Sequence, residues 1–385
     1  MNEPVHYYTI AVTVNRAEDE KFMALALSLA KRRQGLTHPN PAVGAVIVKR
    51  GLILGAGFHR KAGGPHAETL AIKKAGAKAK GATLYVNLEP CRHFGFTPPC
   101  TDAVIKSGIK RVVVGAVDPN PVNSGKGIRA LKEAGISVTT GVLKDESRRL
   151  NEDFFKYIRT GRPFVILKAA MSLDGKIATS TGDSKWITGG RARRFVHELR
   201  SRVDAVMVGA NTVKTDDPML TSHGVGKNPL RIILDSLASV SMSSRIVKSA
   251  QDVPTLIMVT HRANKRKLKA LKDRGLTVLF VRGKGGAMGR HMLDLKNILE
   301  KLGQMGVVNI LVEGGGRLNT SFVESRLVDK AMFFVSPMII GGEKALRVIA
   351  GRGVKSISDA VRLKDVSVRV INGDILVEGY VHGNN

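Results

Sequence analysis

Twice along this chain short β-rich stretches alternate with helical ones, and the alternation breaks once. AVGAVIVKRG and LILGAGFH read as a strand pair around Lys49–Gly51. HAETLAIKKAGAKA carries apolar residues at helical spacing, and ATLYVNL, RVVVGAV and ISVTTGV read as strands with the helices CTDAVIKSG and GIRALKEAG between them. The spacing predicts one helix over 144–158, and R-T-G-R-P at 159–163 predicts a linker. The pattern then restarts with FVILKAAMS, DAVMVGA, LRIILD, TLIMVT, LTVLFV and VVNILVEG, separated by helical stretches at 190–200, 262–274 and 293–304. Such alternation dictates α/β layers around a largely parallel sheet. At 385 residues the chain exceeds one average domain. The expected organisation is a first domain over 1–158, with 1–17 as an extension, and a second over 159–385. No sequence repeat links the halves, so duplication is not indicated.

No run of about 18 apolar residues appears, so no membrane span is expected. The apolar patch Tyr7–Val14 lacks a basic leader and a small-residue cleavage site, which argues against a signal peptide. The two cysteines, Cys91 and Cys100, would close too short a loop for a disulfide to stabilise much. A reducing cytoplasm is the expected compartment. The net charge of +29 is shared by both halves and should attract phosphorylated ligands or nucleic acid, unless it reflects general lysine and arginine usage. HRANKRKLKALKDR at 261–274 reads as a solvated basic helix with Leu268 and Leu271 turned inward; a nucleic-acid contact is the secondary reading.

Both thiols fall in one loop, EPCRHFGFTPPC at 89–100, downstream of His66-Ala67-Glu68. Cysteine thiolate and imidazole are the donors zinc prefers. His66, Cys91 and Cys100 make three ligands, which leaves a fourth position for water, as catalytic sites require. Bound zinc brings the pKa of such a water to roughly 7. Glu68, on the first turn of a helix, is placed to take the water's proton and pass it to a leaving amine. H-x-E followed by P-C-x-x-C marks zinc deaminases of nucleobases. Here eight residues separate the cysteines, so the chain between them must bulge out and return, with Pro98-Pro99 stiffening the return and Gly95 permitting the turn. The alternatives are a structural zinc closed by His93, which leaves Glu68 idle, and a redox pair, which leaves His66 idle.

HPNPAVGAVIV at 38–48, AGGPHAE at 62–68, the cysteine loop and DPNPVNSGKG at 118–127 resemble the bifunctional deaminase/reductase family of riboflavin biosynthesis. In that family the eight-residue spacing is the normal form. LKAAMSLDGKIAT, GDSKWITG, GANTVKTDDPMLT and LVEGGGRLN resemble its reductase half. The resemblance implies a cytidine-deaminase-like domain followed by a dihydrofolate-reductase-like one. It implies zinc-dependent deamination of 2,5-diamino-6-ribosylamino-4(3H)-pyrimidinone 5′-phosphate, then NADPH-dependent reduction of the product's ribosyl group to ribityl. By the same match His66, Cys91 and Cys100 hold zinc, Glu68 shuttles the proton and Asn40 faces substrate. Ala170, Trp186, Thr212, Asp216, Ser236 and the stretch Gly314, Gly315, Gly316, Arg317, Leu318, Asn319 line the cofactor. Lys168, Ser184, Arg200, Leu220, His223 and Glu313 fall near the substrate.

Physically, VVNILVEGGGRLNTSFVE is a strand, a glycine turn and a helix start, whose backbone N–H groups can meet a dinucleotide's phosphates; taken alone, GGG reads first as a simple turn. It is not G-x-G-x-x-G and comes late in its domain, which disfavours an ordinary Rossmann site. Arg200 is the leading phosphate candidate, because a guanidinium grips phosphate through two parallel bonds. Trp186, the single tryptophan, belongs to the site or to the core. Asp174 is expected to hold a turn. Three positions depart from the family pattern: Phe96 replaces a basic residue before T-P-P-C, Arg92 replaces a small one after E-P-C, and His223 stands where a basic residue follows L-T. The first two are expected to compensate, the charge having moved along the loop. A homo-oligomer is expected. The rival readings are a tRNA or free-base deaminase with an added RNA-binding domain, and a zinc-stabilised binding protein in which Glu68 has no task.

Overall fold

The computed structural model describes residues 16–95, 97–285 and 291–381; the Tyr7–Val14 patch and Phe96 lie outside them. The chain divides into two compact units, Met1–Phe155 and Lys156–Asn385. Among the described residues no helix is long and apolar enough to cross a membrane.

The first unit runs α1 (Arg16–Lys31), β1 (Gly44–Lys49), β2 (Leu52–Phe58), α2 (Ala67–Ala75), β3 (Thr83–Leu88), α3 (Cys100–Lys106), β4 (Arg111–Ala116), α4 (Lys126–Glu133), β5 (Ser137–Thr140) and α5 (Lys144–Leu150). Its sheet has the order β2-β1-β3-β4-β5. β1 is antiparallel to both neighbours, whereas β3, β4 and β5 are parallel. The β1–β2 hairpin closes through Arg50 and Gly51, at φ 52° and 75°. Two successive left-handed residues give the primed turn whose twist suits a two-residue hairpin. Aliphatic residues of β1, β3 and β4 sit between α2 on one face and α1 on the other.

Helix α6 (Glu152–Thr160) contains the boundary between the units. The single helix expected over 144–158 is in fact two, because Asn151 leaves helical geometry at φ −119°, ψ 27°. Its side chain is engaged elsewhere: Oδ1 accepts from the Ala42 N–H at 2.7 Å and Nδ2 donates to the Ala42 carbonyl at 3.0 Å. Nor is 159–163 a free linker. α6 continues through Thr160, the Tyr157 hydroxyl donates to the Gly303 carbonyl at 3.1 Å, and Gly303 lies against Gly161 so closely that a Cβ would overlap its carbonyl.

The second unit continues with β6 (Phe164–Ser172), β7 (Lys176–Ala178), α7 (Gly190–Arg200), β8 (Ala205–Gly209), α8 (Ala210–Asp216), β9 (Leu230–Leu234), α9 (Arg245–Lys248), β10 (Thr255–Val259), α10 (Lys265–Asp273) and β11 (Thr277–Phe280). After the short strands β12 (Gly283–Gly285) and β13 (His291–Leu293) come α11 (Leu295–Gln304), β14 (Asn309–Val312), α12 (Gly316–Glu324), β15 (Lys330–Ser336), β16 (Leu346–Arg347), β17 (Lys364–Ile371) and β18 (Asp374–Tyr380). The main sheet has the order β11-β10-β9-β8-β14-β6-β15-β18-β17. It is parallel from β11 to β15, and β18 and β17 then add antiparallel. β8 and β14 are adjacent, but the chain leaves them in opposite directions along the sheet, β8 towards β9 and β14 towards β15. A crevice opens at such a switch point, outside the carboxyl ends of the two strands.

Candidate active sites

In the first unit, glycines set the geometry. A Cβ on Gly55 or Gly57 of β2 would fall 2.3 Å from the Ala71 carbonyl or 2.5 Å from that of Ala67. α2 therefore lies directly on the strand, and its start is fixed. His66 is the N-cap of α2 and Glu68 lies in its first turn. Cys100 opens α3 and its N–H donates to Cys91 Sγ at 3.3 Å. His66 Nδ1 lies 3.1 Å from Cys100 Sγ and 3.5 Å from Cys91 Sγ, and the three ligand atoms are within 4.8 Å of one another. A tetrahedral zinc with bonds of about 2.0–2.3 Å needs donors roughly 3.5 Å apart. This donor set fits zinc.

Among the described residues the group has three members; His93 is not one, and its Nδ1 is buried without a hydrogen-bond partner. The closed structural site is thereby set aside. Glu68 is 3 % exposed, and burial pushes its carboxyl up to about 7 against the pull of His66. It also hydrogen-bonds the Cys100 thiol. Hydrogen bonding from Cys100 first, and from His66, holds the Cys91 thiol well below its ordinary value; Cys100 is raised correspondingly, since it keeps the shared proton. Gly95 is not left-handed and a Cβ there would meet nothing, although its N–H donates to the Thr97 carbonyl at 3.3 Å; the loop's return also rests on other contacts.

Those contacts come from residues with no spacing signal. Glu89 is 4 % exposed. It accepts the N–H groups of Asp118 at 3.1 Å, Gly125 at 3.0 Å and Ile128 at 3.1 Å. Asn123 Oδ1 accepts the Arg92 N–H at 2.8 Å, and its Nδ2 donates to Asp118 at 3.0 Å. DPNPVNSGKG is thus the brace of the cysteine loop. Arg92 reaches Asp102 at 3.5 Å on the surface. Asn40 Nδ2 lies 3.1 Å from His59 Nε2, and His59 Nδ1 lies 3.1 Å from the Pro65 carbonyl. A carbonyl only accepts, so Nδ1 carries the proton and Nε2 receives that of Asn40. The His59 and His66 rings meet edge-on at 5.3 Å, and burial lowers the His59 pKa.

In the second unit, Glu313 follows β14 at the switch point. Arg200 binds it twice, Nε to Oε1 at 2.6 Å and Nη2 to Oε2 at 2.9 Å, and Lys168 of β6 adds Nζ to Oε2 at 3.2 Å. Burial alone would raise Glu313; Arg200 and Lys168 outweigh it and hold the carboxyl at about 2. The two parallel bonds expected of Arg200 towards phosphate are therefore already made, to Glu313. Leu220 is 2 % exposed at φ 55°, so its side chain is core and only its backbone can meet a ligand. The neighbouring Thr221 carbonyl accepts from Arg200 Nη1 at 3.1 Å. The His223 ring stacks on His197 at 4.2 Å. Burial lowers both pKa values, His197 to about 4.

The glycine turn divides by function. A Cβ on Gly314 would meet Leu318 at 2.7 Å, and one on Gly316 would meet the Arg347 carbonyl at 2.2 Å. Packing demands both. A Cβ on Gly315 meets only Thr212 Oγ1, at 3.9 Å, so this N-cap of α12 borders open space beside α8. Arg317 is exposed and Leu318 half-buried. Asn319 is wholly buried and its Nδ2 donates to the Val348 carbonyl at 3.0 Å, which fastens α12, while its Oδ1 is buried without a hydrogen-bond partner. Trp186 is 67 % exposed, which excludes it from the core, and Arg193 lies 4.3 Å over its ring. Lys185 donates to the Asp216 carbonyl at 3.3 Å, bringing the Ser184–Trp186 turn to the end of α8. Ser236, after β9, accepts from Thr260 through its carbonyl. Ala170 is half-buried on β6. Asp174 does hold a turn, accepting from Ser172 Oγ and from the N–H groups of Ile340 and Gly341.

Residues 163–377 match the RibD C-terminal domain family, and residues 16–116 match the cytidine and deoxycytidylate deaminase zinc-binding region. The chain is 48 % identical to the riboflavin biosynthesis protein RibD of Aquifex aeolicus, over 94 % of this chain and 98 % of that one. It is 39 % identical to the protein of the same name from Escherichia coli, over 93 % and 98 %. Among solved structures, RibD of Acinetobacter baumannii superposes with a TM-score of 0.84 at 37 % identity, covering 95 % of this chain and 99 % of that one. A diaminohydroxyphosphoribosylaminopyrimidine deaminase/5-amino-6-(5-phosphoribosylamino)uracil reductase from Thermotoga maritima gives 0.82 at 39 %, covering 95 % and 99 %.

Proposed function

The chain belongs to the RibD family of bifunctional riboflavin-biosynthesis deaminase/reductases, and from that membership we propose how its residues divide the work. Residues 1–158 deaminate 2,5-diamino-6-ribosylamino-4(3H)-pyrimidinone 5′-phosphate. Residues 159–385 reduce the ribosyl group of 5-amino-6-(5-phosphoribosylamino)uracil to ribityl, with NADPH. The observation that carries the reading is a three-donor group with a buried carboxyl at its side and no fourth protein ligand among the described residues.

His66, Cys91 and Cys100 hold the zinc, which supplies a Lewis acid for an attacking water at neutral pH. Glu68 takes a proton at its carboxylate and delivers it to the departing amine. Buried beside the three donors, its carboxyl is placed both to accept and to donate that proton. His59 fixes the amide of Asn40, which then presents its oxygen to the pyrimidine.

In the second unit the switch-point position, the open Gly315 and the N-terminus of α12 fit a dinucleotide. NADPH bound there supplies the reducing equivalents. Thr212, Asp216 and Gly314–Leu318 form its rim, Asn319 supports that rim from beneath, and Trp186, Ala170 and Ser236 flank it. Lys168, held by Glu313, presents an ammonium to the substrate, while Arg200 positions Glu313. Ser184, the Leu220 backbone and His223 complete the substrate side. The enzyme works in the cytoplasm on small phosphorylated ligands, which the +29 surface attracts; nucleic acid is not its partner. One assay of the purified protein with the diaminopyrimidine substrate, following ammonia and NADPH oxidation separately, tests this. Ammonia without oxidation sinks the bifunctional reading.

A further inference from the structure

Among the described residues Arg231 of β9 is the largest side chain that is fully buried. No described carboxylate bonds it, and the charge that favours it is that of exposed Asp252. Its nitrogens bond neutral oxygens instead. Nη1 donates to the Met219 carbonyl at 3.1 Å and to Ser249 Oγ at 2.8 Å. Nη2 donates to the carbonyls of Ile246 at 3.2 Å, Ser249 at 3.1 Å and Val253 at 2.9 Å. Nε and Nη2 both reach Thr255 Oγ1, at 3.0 and 2.6 Å. Taking an ion out of water is costly, and apolar side chains of similar volume often serve stability as well or better. What this guanidinium supplies is placement. It ties 246–249 and 253–255 to a third segment, through Met219.

That third segment is held against its own preference. Between α8 and β9 three residues other than glycine are left-handed: Asp217 at φ 41°, Leu220 at 55° and His223 at 51°. Such residues keep that conformation only where their surroundings impose it, and they gather at functional sites. Here the restraints are visible. The Asp217 carboxylate accepts the Arg245 N–H at 2.8 Å. Arg231 holds the Met219 carbonyl on one side of Leu220, and Arg200 holds the Thr221 carbonyl on the other, at 3.1 Å. Arg200 is itself fixed by its two bonds to Glu313. We propose that Arg231 is a positioning residue of the reductase, acting through Met219 to set the Leu220 backbone and His223 against the phosphorylated substrate. This rests on the reading that 220–223 form the substrate side of the site. Lysine cannot take its place, because three donors on one nitrogen do not span what a planar five-donor fork spans.

Steady-state kinetics of the full chain with 5-amino-6-(5-phosphoribosylamino)uracil and NADPH test the proposal, beside thermal melts. Arg231→Lys is expected to raise the KM for the uracil substrate about tenfold, with kcat and the KM for NADPH within about twofold of wild type. Ammonia release by the other unit should be unchanged, and hydrogen exchange at 217–223 should quicken. A merely structural arginine predicts a lower Tm and less active protein, hence a lower apparent kcat with both KM values unmoved; that result overturns the proposal. Should Arg231→Lys not fold, Ser249→Ala carries the test, since it removes one partner of Nη1 and keeps the cation. It is expected to raise the same KM about threefold, and no rise overturns the proposal. His223→Ala separates the proposal from the reading beneath it. If His223→Ala raises the KM and Arg231→Lys does not, the substrate side stands and Arg231 has no part in placing it. If neither raises it, 220–223 do not face the substrate, and the proposal falls with that reading.

Discussion

At the scale of the residue, two buried carboxyls sit in opposite electrostatic settings. Glu68 is raised by burial, Glu313 lowered by two cations. Replacing Glu68 by Gln should cut ammonia release by about 10²–10⁴-fold while zinc content, measured by metal analysis, stays at one per chain. Glu313 gives a pH signature. Its folded pKa of about 2 lies below the ordinary 4.5, so its stabilisation is complete above 4.5 and is lost as pH falls from there towards 2. Thermal melts of wild type should show Tm falling across that window, and Glu313→Gln should flatten the fall. Of the first-unit residues, the sequence pointed to His66, Glu68, Cys91, Cys100 and Asn40. It was silent on His59 and on the bracing role of Glu89, because their partners lie far along the chain.

At the scale of the element, strands and most helices were legible because their periodicities are local. The errors were local too. The 144–158 helix breaks where the Asn151 side chain finds Ala42, a contact across more than a hundred residues. The late strands β15, β17 and β18 were not named, although they build the end of the sheet. The glycine turn could be seen but not apportioned. Gly316→Ala should lower stability by about 1–3 kcal/mol, read as a lower denaturant midpoint, since a methyl there meets the Arg347 carbonyl. Gly315→Ala should leave that midpoint within error and raise the KM for NADPH, because its space is open.

For the whole molecule, two sites on two compact units predict separable failures. Glu68→Gln should still oxidise NADPH when given the deaminated intermediate, and Glu313→Gln should still release ammonia. Loss of both activities in either variant would contradict independent sites. The chain by itself determined the two-part α/β plan, the zinc donors and the adjacent acid, since each rests on near-neighbour spacing or residue chemistry. Only the tertiary structure decided that Arg200 serves Glu313 and that Asn319 and Leu220 are interior. These follow from which distant segments meet, and side-chain pairing and burial are properties of those meetings, not of the residues' order.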